Sequence, residues 1–291
     1  MSIFDKDLIS GKDKIEIAIG RIKTFCTNKK VYCAFSGGKD SQCCYHLCQQ
    51  ADIPFHAEYS ITRFEPPELI QFVRDNYPNV TFRRSFKRSL VKDIEYNGLP
   101  TRFSRWCCDA KHSKVEGYDI SVIGIRAEES PRRRDTWRMF GRKQDGTPYV
   151  CPIIDWTSKE VWEYLNHIGA PHCKMYDEGY DRIGCILCPL TMKNRNKDAE
   201  RYPKHREMLR KGAELFVKRM QSQGFKTKKG KMCPSWHVAQ APVEEYWQRW
   251  LQTAQTVKSV EEEMGKRTED DMCLFAGTGF SEGDGLKTEE D

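Results

Sequence analysis

Residues 36–41 read Ser-Gly-Gly-Lys-Asp-Ser, between the apolar run Val31–Phe35 and the helix-forming stretch "SQCCYHLCQQ". A strand that ends in a glycine turn and restarts as a helix gathers backbone N–H groups without intrahelical partners at the positive end of the helix. Gly37 and Gly38 let an anion approach the backbone and permit unusual dihedrals. Ser36 and Ser41 add hydroxyl donors and Lys39 a point charge, while the Asp40 carboxylate can hold Mg2+ or a water. A bare Gly-Gly pair would signal only a turn. The whole hexapeptide between strand and helix points instead to a phosphate cradle. Its spacing is not Gly-x4-Gly-Lys-Ser/Thr, so transfer of a γ-phosphate is not the expected chemistry.

Thirteen cysteines are the second chemical signal. No apolar run approaches the roughly 18 residues of a spanning helix, and "MSIFDKDLIS" lacks a signal-peptide core. The expected setting is cytoplasmic, with no membrane partner, where a disulfide framework is disfavoured. Some thiols are then metal ligands or redox groups and others small buried hydrophobes. Cys26, Cys33, Cys43, Cys44, Cys48, Cys151 and Cys173 sit on or beside apolar segments, which assigns them to packing.

The elements that must position these groups alternate. "DKIEIAIGRIKTFC" has helical spacing at Ile15, Ile19, Ile22 and Cys26, although the alternation Ile15, Ile17, Ile19 also fits a short strand. Strands are expected at Val31–Phe35, "FHAEYSI", "VTFRRS", "SVIGIRA" and "YVCPII", and helices at "SQCCYHLCQQ" and "PPELIQFVRDNY". Another helix is expected at "TSKEVWEYLNHIG", with Thr157 and Glu160 as a capping box and Gly169 as its stop. Such alternation predicts an α/β fold: a Rossmann-like parallel sheet sandwiched by helices, with ligands at the carboxyl ends of the strands. Strand signals fade after about residue 170. The expected division is a nucleotide-binding domain at 1–170, a smaller helical region carrying a CxxC motif at 171–258, and an acidic tail at 259–291. Between Glu261 and Asp291 there are eleven acids against three bases. Lys218, Arg219, Lys226, Lys228, Lys229 and Lys231 form a run with no intervening acid.

The hexapeptide resembles the signature of the adenine nucleotide α-hydrolase superfamily, the PP-loop ATP pyrophosphatases. Those proteins cleave ATP between its α and β phosphates and transfer AMP to an oxygen, making it a leaving group. "RWCCDAKH", "VIGIRAEESPRR", "CPIIDWTSKEVWEYL" and "MYDEGYDRIGCILCP" follow in the order seen in the phosphoadenylyl-sulfate (PAPS) reductase family. This resemblance covers roughly residues 28–190. It implies the PP-loop type of the fold, and it places Arg126 near the nucleotide phosphates, with Glu129 and Arg132 as weaker candidates on the same loop. Arg133 and Arg134 read as a solvated charge run. Cys107-Cys108 with Cys185-Ile-Leu-Cys188 resembles the arrangement that ligates a 4Fe-4S cluster in adenylyl-sulfate reductases. A cubane takes one thiolate per iron, which four cysteines on two loops can supply. Zinc is the rival, although adjacent cysteines chelate one ion awkwardly, and a set without metal is the third alternative.

Two departures separate this chain from the reductases of that family. Its loop is intact, whereas reductases of an already adenylylated substrate match it only partly. The family's nucleophilic cysteine, in a Glu-Cys-Gly-Leu-His motif, is missing. Cys233, near Lys229, Lys231 and His237, is the better late candidate, because Cys273 lies in the acidic tail. An intact loop with cluster-type cysteines resembles the sulfur-insertion enzymes of the superfamily, the tRNA thiolases and the DNA phosphorothioation component. The implied reaction adenylates an acceptor oxygen with ATP, and sulfide then displaces AMP. Lys39 and Arg126 would stabilise the departing pyrophosphate and Asp40 would assist. The alternatives are a sulfonucleotide reductase and a non-catalytic nucleotide-binding subunit. Expected partners are ATP or another adenine nucleotide, a sulfur donor or reductant protein, a nucleic-acid acceptor and a second copy in a homodimer. The basic run and Trp236, Tyr246, Trp247 and Trp250 would suit nucleic acid, although the helical spacing of the last three is more often that of a core.

Overall fold

The computed structural model describes residues 2–8, 10–101, 104–223 and 243–253. It divides into two compact units, Met1–Ser85 with Lys111–Cys185, and Phe86–Ala110 with Ile186–Asp291. The first unit holds six strands: β1 Val31–Phe35, β2 Phe55–Ile61, β3 Val80–Arg84, β4 Ile120–Val122, β5 Phe140–Arg142 and β6 Pro148–Val150. Their order is β3-β2-β1-β4-β6-β5. All neighbours are parallel except β5 and β6, so the sheet is mixed at one edge rather than wholly parallel. That edge follows from the turn at Asp145-Gly146, where Gly146 has φ +78° and the Thr147 amide donates to Asp145 Oδ1 at 2.9 Å.

Helices α1 Lys14–Cys26, α2 Lys39–Gln50, α3 Pro67–Asn76 and α7 Ser158–His167 supply the core of this unit with Ile22, Leu47, Val73 and Tyr164, packed with Val31, Cys33 and Tyr59 of the strands. Local chemistry fixes the helix ends. The Glu16 amide donates to Asp13 Oδ1 at 2.8 Å and the Asp13 amide to Glu16 Oε2 at 3.0 Å, a capping box that decides residues 14–26 as helix over strand. Thr157 and Glu160 form the second capping box. α7 ends in a Schellman motif, with Gly169 at φ +63° and the Ala170 amide reaching Leu165 O at 2.9 Å. The apolar run at 121–127 is strand only as far as Val122. Beyond it, Gly124 packs so tightly on α2 that a Cβ there would lie 2.7 Å from Asp40 O, which draws the chain off the sheet.

Within the second unit, α4 Leu90–Asn97 packs on α9 Pro203–Gln223. Gly212 makes room, since a Cβ there would sit 2.7 Å from Ile94 Cβ. Helices α5 Trp106–Lys111 and α8 Arg195–Arg201 are short, as is α6 Pro131–Thr136 of the first unit, and α10 spans Val243–Thr253. Tyr246, Trp247 and Trp250 of α10 are buried core residues, not a stacking platform. Their polar ends reach backbone: the Leu99 amide donates to Tyr246 OH at 3.0 Å and Trp250 Nε1 to Pro100 O at 2.7 Å. Lys218 pairs with Glu214 at 2.6 Å, and Arg219 Nε donates to Glu95 O at 2.9 Å. Lys226, Lys228, Lys229, Lys231, Cys233, Trp236, His237, Cys273 and the acidic tail lie outside the described residues. No described helix is long and apolar enough to cross a membrane.

Glu160 ties α1 to the start of α7. One oxygen pairs with Lys14 Nζ at 2.6 Å and the other accepts the Thr157 amide at 2.7 Å. Burial alone would raise its pKa, but Lys14 and Thr157 outweigh burial and hold it below the ordinary value of 4.5. A depressed folded pKa gives stability that is full above pH 4.5 and is lost as pH falls through the folded value. Glu160→Gln should therefore destabilise the protein by ~1–3 kcal/mol at pH 7. Urea unfolding of both proteins should show that gap closing below about pH 4.

Candidate nucleotide site

The strand order places the ends of β1 and β4 side by side, at the point where the chain leaves β1 for β2 on one side and β4 lies on the other. Open α/β sheets bind ligands in the crevice at such a switch point. Residues 36–41 close β1 here, and residues 123–126 close β4.

The loop is locked from within. Ser41 Oγ donates to Gly38 O at 2.8 Å and accepts the Ser36 amide at 3.1 Å, while Gln42 Nε2 donates to Gly37 O at 3.0 Å. Gly38 is the N-cap of α2 and offers no side-chain cap. Among the described residues, the amides of Gly37, Gly38, Asp40 and Ser41 have no protein acceptor. The Lys39 amide does: it donates to Tyr176 OH at 2.9 Å. The loop thus keeps several N–H groups without protein acceptors at a positive helix end.

Its charges are shared across the switch point. Asp40 Oδ2 lies 3.1 Å from Lys39 Nζ, and Asp40 Oδ1 lies 2.6 Å from Arg126 Nε. Lys39 and Arg126 are only 5% and 3% exposed, so neither is a solvated surface charge. Arg126 also pairs with Glu128 at 2.5 Å and donates to Trp156 O at 3.3 Å. Burial works against its charge, yet Asp40, Glu128 and Glu129 outweigh burial and hold its pKa above the ordinary value.

Glu129 acts on the arginines around it. It accepts the Arg126 amide at 3.2 Å, pairs with Arg133, and stands 3.6 Å from Arg182. Arg133 is therefore not part of a solvated run; burial draws its pKa below the ordinary value despite Glu129. Arg132 and Arg134 are exposed. The Glu129–Arg133 pair has the i, i+4 spacing of helical ion pairs, a signal the sequence carried. Arg182 and Tyr176 were not anticipated, because their partners lie far away along the chain.

A second polar group closes β2. Glu65 accepts from the Thr62 amide at 3.0 Å and the Thr62 hydroxyl at 2.7 Å, and pairs with Lys111 at 3.2 Å. Cys185 is near enough to act, after burial and Glu65, in raising the Tyr59 pKa. Cys107, Cys108 and Cys188 belong to the other unit. There Cys188 stands beside Arg195, whose Nε donates to Leu187 O at 3.2 Å. Burial pushes Arg195 down to about 10 against the pull of Cys188 and Asp198.

Among the described residues, no three His, Cys, Asp or Glu side chains stand close enough together to hold a metal ion. Cys107, Cys108, Cys185 and Cys188 have the thiolate donor chemistry of a cluster, and both Asp40 oxygens are engaged by cations. The packing cysteines behave as such: burial raises the thiols of Cys43, Cys44 and Cys173, and brings Cys26 to about 11 and Cys151 to about 12.

Gly37 is the loop's most constrained position. Its φ is +73°, and a Cβ would lie 2.7 Å from Val73 Cγ2 and 2.9 Å from Leu69 Cδ1. Gly37→Ala should cost ~1–3 kcal/mol in left-handed strain alone, read as a lower urea midpoint at unchanged slope.

Residues 30–191, over half of the chain, match the phosphoadenosine phosphosulfate reductase domain. An uncharacterized protein of Methanocaldococcus jannaschii is 34% identical over 208 residues, which are 64% of this chain and 42% of that protein. The chain thus spans well under half the length of that relative. The adenosine 5'-phosphosulfate reductase of Shouchella clausii is 28% identical over 193 residues, 62% of this chain and 78% of that enzyme. Among solved structures, the PAPS reductase of Candida auris in a phosphate complex aligns with a TM-score of 0.44 at 13% identity, over 59% of this chain and 89% of that one. The chain belongs to the phosphoadenosine phosphosulfate reductase domain family.

Proposed function

We propose that this chain binds ATP with its phosphates on the 36–41 loop and uses it to adenylate an acceptor oxygen, releasing pyrophosphate; a sulfur nucleophile then attacks the acceptor atom bearing that oxygen, and AMP leaves with the oxygen. The observation that carries the reading is the set of four unpartnered amides beside two buried cations, Lys39 and Arg126. Amides fixed in the loop stabilise phosphate charge without reorganising as it develops. In this reading Lys39 and Arg126 trade part of their contact with Asp40 for the departing pyrophosphate. Asp40 keeps the two cations apart and aimed. Glu128 and Glu129 hold Arg126, while Arg133 and Arg182 leave the surrounding charge positive. The acceptor and the sulfur donor are proposed by class: a nucleic-acid oxygen, and sulfide or a persulfide on a donor protein.

A second reading has its own support. Relatives at 26–28% identity bear the name adenosine 5'-phosphosulfate reductase. The same loop would then take an adenylylated sulfate, and ATP would be left intact. Incubation with labelled ATP and candidate acceptors separates the two. Acceptor-dependent release of AMP and pyrophosphate is the expected result. Sulfite from a sulfonucleotide, with ATP untouched, would replace the first reading by the second.

The cluster implied by the resemblance is a separate proposal. Anaerobic purification followed by iron and sulfide analysis should give about four of each per chain if it is carried. An iron-free protein of full activity would remove it.

A further inference from the structure

The Lys39 amide is the one N–H of the α2 end that a side chain from elsewhere has taken. Tyr176 lies 137 positions along the chain, and its hydroxyl accepts this proton at 2.9 Å. The contact is close to the loop as well, since a Cβ on Gly38 would meet Tyr176 OH at 3.5 Å. The segment is held in place by a turn: the Tyr176 amide donates to Cys173 O at 3.0 Å and the Gly179 amide to Tyr176 O at 3.0 Å. Its ring packs edge-on against Trp162 at 4.8 Å and 90°. Burial raises the phenol's pKa, so the group at the loop is neutral.

We propose that the Tyr176 hydroxyl is a plug on the phosphate cradle, holding the Lys39 amide when no nucleotide is bound and yielding it to a nucleotide phosphate. The inference rests on the phosphate-binding reading above and adds its regulation. One N–H serves one acceptor well, so phenol and phosphate exclude each other at this position. An anionic oxygen is the stronger acceptor, roughly twofold in energy over a neutral one, and wins when present. There is also somewhere for the ring to go. Tyr176 forms one wall of a cleft of about 340 Å3 whose other walls include Trp162, His172, Asp177 and Tyr180. His172 Nε2 and Asp177 Oδ1, 2.8 Å apart, brace its rim. Displacement of the phenol moves it along the face of Trp162, so occupancy of the loop is read out in the cleft.

The test is ATP affinity by calorimetry for the wild type and Tyr176→Phe. Removing the hydroxyl removes the competitor and leaves the ring, so the variant should bind ATP about threefold to tenfold more tightly. General damage to the fold would not tighten binding. Trp162 emission, isolated by difference against Trp162→Phe, should change on saturation with ATP. Equal or weaker affinity in Tyr176→Phe, or unchanged Trp162 emission while the wild type binds, overturns the plug and leaves the cradle standing. A wild type that binds neither ATP nor inorganic pyrophosphate overturns both.

Discussion

The site depends on one shared carboxylate. Asp40 stands at the start of α2, with Lys39 on one oxygen and Arg126 on the other, 86 positions away on the loop after β4. Two buried cations without it would repel each other in a poorly solvated space. The backbone is organised around the same point, because Gly124 must approach the Asp40 carbonyl closely before Arg126 can reach the carboxylate. The switch between β1 and β4 brings those loops together, and the ion pair fixes their separation.

From that point constraint spreads outward in both directions. On one side, Arg126 is held by Glu128 and by the carbonyl of Trp156, a core residue that leads into the capped start of α7. On the other, Gly37 is wedged against Val73 and Leu69 of α3, so the loop cannot rise from the sheet without disturbing the core. α1 stiffens the same region from behind, with Arg21 bidentate to Asp155 at 2.6 and 3.0 Å. The preorganised amides are the product of this packing as much as of the hexapeptide itself.

Much of this was legible in the sequence because it is local. The hexapeptide, the Thr157–Glu160 capping box and the Gly169 stop are decided within a few residues, and the structure has each of them. The strands up to Val122 were legible from apolar runs; the premature end of the fourth was not, because it depends on a contact with α2. The same holds for Tyr176 and Arg182, whose partners Lys39 and Glu129 are remote in sequence. Arg133 was misjudged for another reason. Three consecutive arginines look solvated, and only burial distinguishes the middle one. The aromatic spacing of α10 favours a core over a binding surface, and burial bears that out.

The central claim is that ATP phosphates occupy the loop framed by Lys39, Asp40 and Arg126, and thermal unfolding with and without ATP tests it most directly. A ligand at one hundred times its Kd adds about 2.7 kcal/mol to stability. The account predicts a clear rise in Tm with ATP, larger than with adenylyl sulfate or PAPS, and largely lost in Lys39→Ala. No rise with ATP, or a rise only with a sulfonucleotide, would contradict it.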